Sequence, residues 1–309
     1  MTAVPRKTYG DALRWVSSFL CDHAAGASWQ ALPAAERDKA ARAEAETLLL
    51  WASGRTRLQV LTGLADPLPD AVQSALHAAV LRRAAGEPLQ YITGEAPFYG
   101  RVFAVRSGCL IPRPETELLV DRAIAWLRAH RPSSRVCDLG AGSGVIAVTL
   151  ALEVPEAQVW AVDVSADALA IAEENARRLG ATVRFARCDG LAWLRGAAGP
   201  PPAHLLVSNP PYIPSADLAG LAPEVRDWEP REALDGGPDG LAFYRALADA
   251  GPVVFDPSGP AALFLEVGMG QAEAVMALFR DGGHWRGWRF DAEPDLRGVL
   301  RVVWGERLA

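Results

Sequence analysis

Four consecutive residues, Asn209-Pro210-Pro211-Tyr212, carry the densest chemical signal in the chain. They follow the apolar run Ala203 to Val207, which reads as a buried parallel strand. Two prolines cannot extend such a strand, because neither supplies an N–H to the ladder. The strand therefore ends at Asn209. In an open α/β sheet the carboxyl ends of the strands form the ligand crevice, so the Asn209 amide is expected to project into a site. Its side-chain oxygen and the Pro210 carbonyl are two acceptors able to hold both hydrogens of a planar, conjugated NH2 group, and Tyr212 offers an aromatic face to cover it. Asn209, Pro210 and Tyr212 are the expected catalytic set, and together with Pro211 they are the expected substrate-binding set. Strand exits use the same residue types for purely structural reasons, so the corner gains meaning only beside a second motif.

That motif is Gly140-Ala141-Gly142-Ser143-Gly144, on the turn between an expected strand at 135–138 and an expected helix at 145–153. Its glycines permit a tight turn and let backbone approach a ligand closely. The spacing is G-x-G-x-G rather than G-x-G-x-x-G, and no G-K-[ST] follows, which weakens nicotinamide and ATP readings. A ligand with a nucleoside but no phosphate fits better, and S-adenosylmethionine, which leaves as S-adenosylhomocysteine, is the common one. The second strand ends at Asp163, 19 residues past Gly144, where an acid accepts hydrogen bonds from ribose hydroxyls. Asp189, after the third strand, is placed to meet an adenine amino group. The expected cofactor set is Gly140, Ala141, Gly142, Ser143, Gly144, Asp163, Asp189, Gly190 and Asn209. A methyl donor opposite a holder for NH2 leaves two acceptors open: a glutamine side chain and the exocyclic amine of adenine.

The elements that must position these residues follow from periodicity. Residues 11–86 read as a small bundle of amphipathic helices, with one stripe at Leu13, Val16, Phe19 and Leu20, a second helix from Pro33 to Gly54, and a third opened by Pro69. Residues 89–94 and 101–105 read as the two strands of a hairpin linker spanning 87–112. A helix is expected from Glu115 to about His130. From Arg135 onward strands (135–138, 158–163, 182–186, 203–208, 261–266, 288–292, 299–304) alternate with helices (145–153, 166–179, near 241–250, 270–280). This order predicts an α/β fold, a doubly wound and mostly parallel Rossmann-like sheet over 113–309. The Pro/Gly-rich stretch 213–240 is long for a connection, and loops of that length are usually functional.

Composition narrows the partners. Half of the 309 residues are hydrophobic and 22% are charged, a soluble globular profile with a formal net charge of -6. No basic cluster or target-recognition insert suits strong nucleic-acid binding, and no apolar run is long enough to span a bilayer. The N-terminus lacks a signal-peptide layout, so a cytoplasmic location is expected; a monomer is also expected. Cys21, Cys109, Cys137 and Cys188 are widely spaced and form no C-x-x-C, and the five histidines are scattered; neither a metal site nor a disulfide framework is expected.

Over nearly its whole length the chain resembles the release factor glutamine methyltransferases, the PrmC or HemK family. The segments that carry the resemblance are DLGAGSG (138–144), NPPY (209–212), PLQYITGEAPFYG (88–100), IPRPETELLVD (111–121), EPREALDGGPDGLAFYR (229–245) and LEVGMGQ (265–271). The resemblance implies a protein-(glutamine-N5) methyltransferase of class EC 2.1.1. It would methylate the glutamine of the Gly-Gly-Gln motif of bacterial class I peptide chain release factors during translation termination. It also implies a helical domain over 1–86 that recognises the release factor, a hairpin linker, and a seven-stranded methyltransferase domain in which Gly140 to Gly144 and Asp163 hold the cofactor and Asn209 to Tyr212 hold the glutamine. Gly190 departs from relatives that carry a bulky residue near the adenine. A sister family acts on a ribosomal-protein glutamine through the same NPPY, and the unbroken Arg113-Pro114-Glu115-Thr116-Glu117 favours the release-factor branch. An adenine N6-methyltransferase is the remaining alternative.

Overall fold

The computed structural model describes residues 8–24, 27–196 and 198–308; most of the N-terminal stretch assessed for a signal peptide lies outside them. The chain packs as two units, residues 1–95 with 220–228, and 96–219 with 229–309.

The first unit is helical: α1 (Tyr9–His23), α2 (Ala34–Ser53), α3 (Arg57–Thr62), α4 (Asp70–Ala84) and α5 (Leu89–Thr93). Their ends carry local signals. The Thr8 hydroxyl accepts from Asp11 N at the start of α1, and Thr56 and Gln59 form a reciprocal capping box on α3. Leu13, Val16, Leu20, Leu48, Leu49, Leu76 and Val80 recur at helical spacing and are buried together. A guanidinium is buried with them. Arg83 is 1% exposed, and its guanidinium donates to Glu44 at 2.7 Å and to Glu224 at 2.6 Å. Glu224 lies in a helical turn, Pro223–Arg226, within the segment 220–228 that belongs to this unit, and it also accepts from Ser28 N at 2.8 Å.

The expectation of a strand at 89–94 is corrected. Pro88 (φ -56°) opens a helical turn there and Gly94, left-handed at φ 76°, closes it. Tyr91 and Ile92 are buried, with Ile92 joining the helical core, so packing overrides the strand preference of the residue types. The hairpin is β1 (Glu95–Phe98) and β2 (Arg101–Ala104), joined by Tyr99 (φ 49°) and Gly100 (φ 70°). Positive φ at both loop residues is what a tight two-residue hairpin turn requires.

The second unit is the expected α/β fold. After α6 (Thr116–His130) come β3 (Arg135–Leu139), α7 (Val145–Glu153), β4 (Gln158–Asp163), α8 (Ala166–Leu179), β5 (Val183–Arg187), the short α9 (Gly190–Leu194), β6 (Leu205–Ser208), α10 (Ala242–Ala250), β7 (Ala261–Glu266), α11 (Ala272–Asp281), β8 (Arg289–Pro294) and β9 (Leu300–Arg307). The seven-stranded sheet has the order β5-β4-β3-β6-β7-β9-β8, with β9 antiparallel to both its neighbours. Alternation along the strands divides the core: Val136, Val159, Leu205, Val207 and Phe264 pack with α6 and α7, while Cys137, Leu139, Leu206, Leu263 and Leu265 pack with α10 and α11. The chain winds outward from β3 through β4 to β5, then returns to β6 on the other side of β3. The crevice at a switch of this kind lies between the carboxyl ends of β3 and β6.

Asn175, in the interior of α8, ties this end of the sheet together. Its Nδ2 donates to Ala104 O at 3.0 Å and Ser143 O at 2.9 Å, and its Oδ1 accepts from Ala104 N at 2.7 Å. One amide thus anchors both the hairpin and the glycine turn. Asn175→Ala would leave three buried backbone groups without this partner and should lower unfolding free energy by about 2–4 kcal/mol in urea denaturation; a loss under about 1 kcal/mol would contradict the assignment.

Candidate active site

The glycine turn leaves β3 at Leu139. Gly140 and Gly142 take φ of 77° and 54°, a region L side chains rarely adopt. Gly140 N and Ala141 N both donate to Val162 O, at 2.8 and 3.0 Å, drawing the turn onto the end of β4. Asp163 closes β4: one carboxylate oxygen accepts from Gly142 N and the other from Ser165 N, each at 2.9 Å. An ionised carboxylate has about four acceptor positions, so capacity remains for hydroxyls in the cavity it lines. Asp189 Oδ1 caps α9 through Leu191 N and Ala192 N, at 2.9 and 3.3 Å.

These groups line a cavity of about 550 Å³ with apolar walls that include Leu139, Val162, Leu191 and Phe243. Its volume and mixed lining suit a nucleoside-sized ligand. The departure at Gly190 has a physical counterpart: a Cβ there would meet Leu139 Cδ1 at 2.3 Å, so Leu139 occupies space that a bulkier residue would claim.

Asn209 lines the same cavity, with Pro211. The end of β6 is fastened to β3 by the Ser208 hydroxyl, which donates to Leu139 O at 2.6 Å. Beyond it, Tyr212 O accepts from Gln271 Nε2 at 2.9 Å, and Ile213 O accepts from Gly236 N at 2.8 Å. Gly240 packs so closely that a Cβ would lie 2.3 Å from Tyr212 O. The Tyr212 hydroxyl is pushed up to about 12, by burial first and then by the nearby Glu266 charge, so it stays protonated at neutral pH.

Behind Asn209 runs a buried polar chain. Asn209 Nδ2 donates to Thr116 Oγ1 at 3.2 Å, and the Thr116 hydroxyl donates to Glu266 Oε2 at 2.6 Å. Thr116 and Glu266 are both 2% exposed. A second carboxylate, Glu229, accepts from Arg113 Nη2 at 2.5 Å and from Ile111 N at 3.1 Å. It thereby fixes the 110–113 segment to the loop whose Pro230, Glu232 and Ala233 line the cavity.

Of the expected site residues, Gly140, Gly142, Asp163, Asp189, Gly190, Asn209 and Pro211 meet around this cavity. Ala141, Ser143 and Pro210 are buried beside it; Ser143 O is held by Asn175, and Gly144 starts α7 against Ala172. Tyr212 is half-buried at the corner. Thr116, Glu266, Glu229, Leu110 and Phe243 are at or behind the cavity without being among the expected site residues. For all but Leu110, the available signal was their presence in the segments 111–121, 229–245 and 265–271.

Residues 11–94 match the family described as PrmC N-terminal domain, and residues 116–220 match Methyltransferase small domain. Among similar proteins, the release factor glutamine methyltransferase of Geobacter sulfurreducens is 44% identical over 265 residues, covering 86% of this chain and 89% of that one. That of Bordetella pertussis is 43% identical over 264 residues, covering 85% and 94%. That of Bacillus anthracis is 35% identical over 298 residues, covering 96% and 98%.

Under the glycine turn lies a further carboxyl. Asp138 is fully buried; Oδ2 accepts from Ala147 N at 3.0 Å, and Oδ1 has no partner among the described residues. Burial pushes it up to about 7 against the opposing effect of that hydrogen bond, with the Asp163 charge adding to the rise. An unfolded aspartate ionises near pH 4, so the native state binds the extra proton in between. The stability from this group is complete below about pH 4 and declines as pH rises through about 7. Asp138→Asn removes the titration, so the stability of the parent relative to this variant should fall between about pH 4 and 7 and level off above. Thermal unfolding curves that stay parallel across that range would contradict it.

Proposed function

Since the chain belongs to the release factor glutamine methyltransferase family, we propose that Asn209 to Tyr212 present the glutamine of a release-factor Gly-Gly-Gln motif to S-adenosylmethionine held by the Gly140–Gly144 turn, Asp163 and Asp189. The protein is a methyltransferase that methylates a release-factor glutamine with S-adenosylmethionine. The observation that carries the residue assignment is that Asn209 shares one cavity with Gly140, Gly142 and Asp163. Neither a ribosomal-protein glutamine nor a nucleic-acid adenine is favoured by the family relationship.

The residues around the cavity fit the cofactor. Asp163 has acceptor capacity for vicinal hydroxyls, Asp189 stands at the wall where an amino group would be met, and the apolar lining suits an adenine ring. When bound, the cofactor supplies an electrophilic methyl group on a sulfonium.

The corner's role is to hold the acceptor nitrogen. Asn209 Oδ1 and the Pro210 carbonyl accept the two amide hydrogens, which aims the nitrogen and discourages conjugation of its lone pair with the neighbouring carbonyl. Tyr212, protonated at neutral pH, covers the planar group with its ring. An amide nitrogen is barely basic and is not deprotonated beforehand; once methylated it is strongly acidic and sheds its proton without a strong base. Acceleration then rests on positioning, which can contribute on the order of 7–11 kcal/mol.

The helical residues 1–86 are assigned to recognition of the release factor, of bacterial class I, and residues 113–309 to catalysis. A cytoplasmic location follows from that substrate, and no membrane or nucleic-acid partner is required. Among the described residues no helix is long and apolar enough to cross a membrane.

The test is incubation of the protein with labelled S-adenosylmethionine and purified release factor, followed by peptide mass spectrometry. Methyl on the Gly-Gly-Gln glutamine is expected, and label in nucleic acid instead would overturn the reading. Asn209→Ala should reduce kcat by about 100-fold or more, the scale seen when one positioned polar group is removed, while the cofactor Kd in calorimetry changes little; near-normal turnover would remove Asn209 from the mechanism. Asp163→Ala should weaken cofactor binding by at least about tenfold, the scale of one lost hydrogen bond, and an unchanged Kd would refute its role.

A further inference from the structure

The buried chain behind Asn209 has a direction, and the direction matters to the reaction. An amide presents oxygen on one edge and NH2 on the other, and only the oxygen edge can accept hydrogens from a substrate amine. Turned around, Asn209 would set donor against donor. Something must choose between two orientations of nearly equal shape.

Accepting the reading above of Asn209 as the holder of the substrate amide, we propose that Thr116 and Glu266 are positioning residues that fix which edge Asn209 offers to the glutamine. The logic is a count of protons. An ionised Glu266 can only accept, so the single Thr116 hydroxyl proton is committed to it, at 2.6 Å. Thr116 Oγ1 then has only lone pairs to offer, and the atom of Asn209 that meets it at 3.2 Å must be Nδ2. Oδ1 is left for the cavity. Burial makes the selection strict, because both Thr116 and Glu266 are 2% exposed and a mismatched polar contact there has no water to relieve it.

Protonating Glu266 reverses the count. The acid donates to Thr116, Thr116 donates onward, and the favoured partner becomes the Asn209 oxygen. The acceptor edge is then turned away from the substrate. Glu266 is placed so that this exchange falls near neutrality. Burial raises it to about 7 against the Thr116 hydrogen bond, Arg301 on β9 and Arg113 favour the anion, and Glu115 opposes it. Tyr212 and Tyr244 also face it, with both phenols kept protonated by burial and by the Glu266 charge, and the Tyr244 hydroxyl donates to the Glu266 backbone carbonyl at 2.7 Å. A purely structural tie between the start of α6 and the end of β7 would give the same two hydrogen bonds but no reason for activity to follow their polarity.

The experiment uses the full-length protein, release factor and labelled cofactor. For the parent, kcat should rise through about pH 7 as one group ionises. Thr116→Val, which keeps shape but loses the hydroxyl, should lower kcat on the order of tenfold with little change in cofactor Kd or in KM for the release factor, and Thr116→Ser should recover most of the loss. Glu266→Gln should lower kcat at pH 8.5 and remove the ionisation near 7. In cofactor-free protein, the Asn209 side-chain amide resonance of 15N-asparagine-labelled parent should titrate over the same range and stop titrating in Glu266→Gln. Parental kcat in Thr116→Val, or a parental pH profile in Glu266→Gln, would overturn the proposal while leaving the glutamine methyltransferase reading intact. Absence of any methyl transfer to release factor by the parent would overturn both. A Thr116→Val protein that fails to fold shifts the decision to Thr116→Ser and to the resonance, where an Asn209 signal that ignores pH in the parent overturns the relay.

Discussion

A parallel strand cannot run through two prolines, and the site grows from how the fold handles that stop. Where β6 ends, the polar groups at 208–213 lie at the carboxyl end of a central strand and must be satisfied by something other than a ladder. Four separate segments supply the partners. Leu139 takes the Ser208 hydroxyl, Thr116 takes the Asn209 amide, Gln271 reaches the Tyr212 carbonyl, and the 234–237 loop brackets Ile213. A corner held from so many directions is preorganised, and preorganised polar groups act without reorganisation cost during reaction.

The same economy governs the carboxylates. Asp163 and Glu229 are each met by at least two donors, whereas, among the described residues, Asp138 and Glu266 each sit in the interior with a single hydrogen bond to the carboxyl. Burial of a charge with so little compensation is costly. Both groups respond by holding their protons up to about neutrality. One underlies the glycine turn and the other stands behind Asn209, so the two halves of the candidate site rest on groups poised near the same pH.

Much of this was legible in sequence, for local reasons. The helices and strands from Arg135 onward announce themselves through period and through glycine or serine at their ends, and the observed bounds of α7, β4, α8 and β7 coincide with the expected ones. Gly140, Gly142, Asp163, Asp189 and Asn209 were recoverable because each sits at the end of a recognisable strand. What escaped was set by distance along the chain. Thr116 and Glu266 are 150 residues apart, and nothing in either neighbourhood marks them as partners. The segment 89–93 escaped for another reason: its aromatic and β-branched residues favour a strand, and only burial within the helical unit makes it a helix.

The helical unit is not one continuous stretch of sequence. Its buried Arg83 leans on Glu44 from within and on Glu224 from a segment encoded well over a hundred positions later. Stripped of residues 220–228, the bundle would keep a desolvated guanidinium with one of its counter-charges gone and a Ser28 amide without its acceptor; breaking a buried pair in this way typically costs about 3–5 kcal/mol. For inheritance this means that the helices cannot travel as a free-standing cassette. Recombination that exchanges the N-terminal third of the gene has to bring a compatible loop from its middle, which couples the evolution of two stretches that look independent on the page.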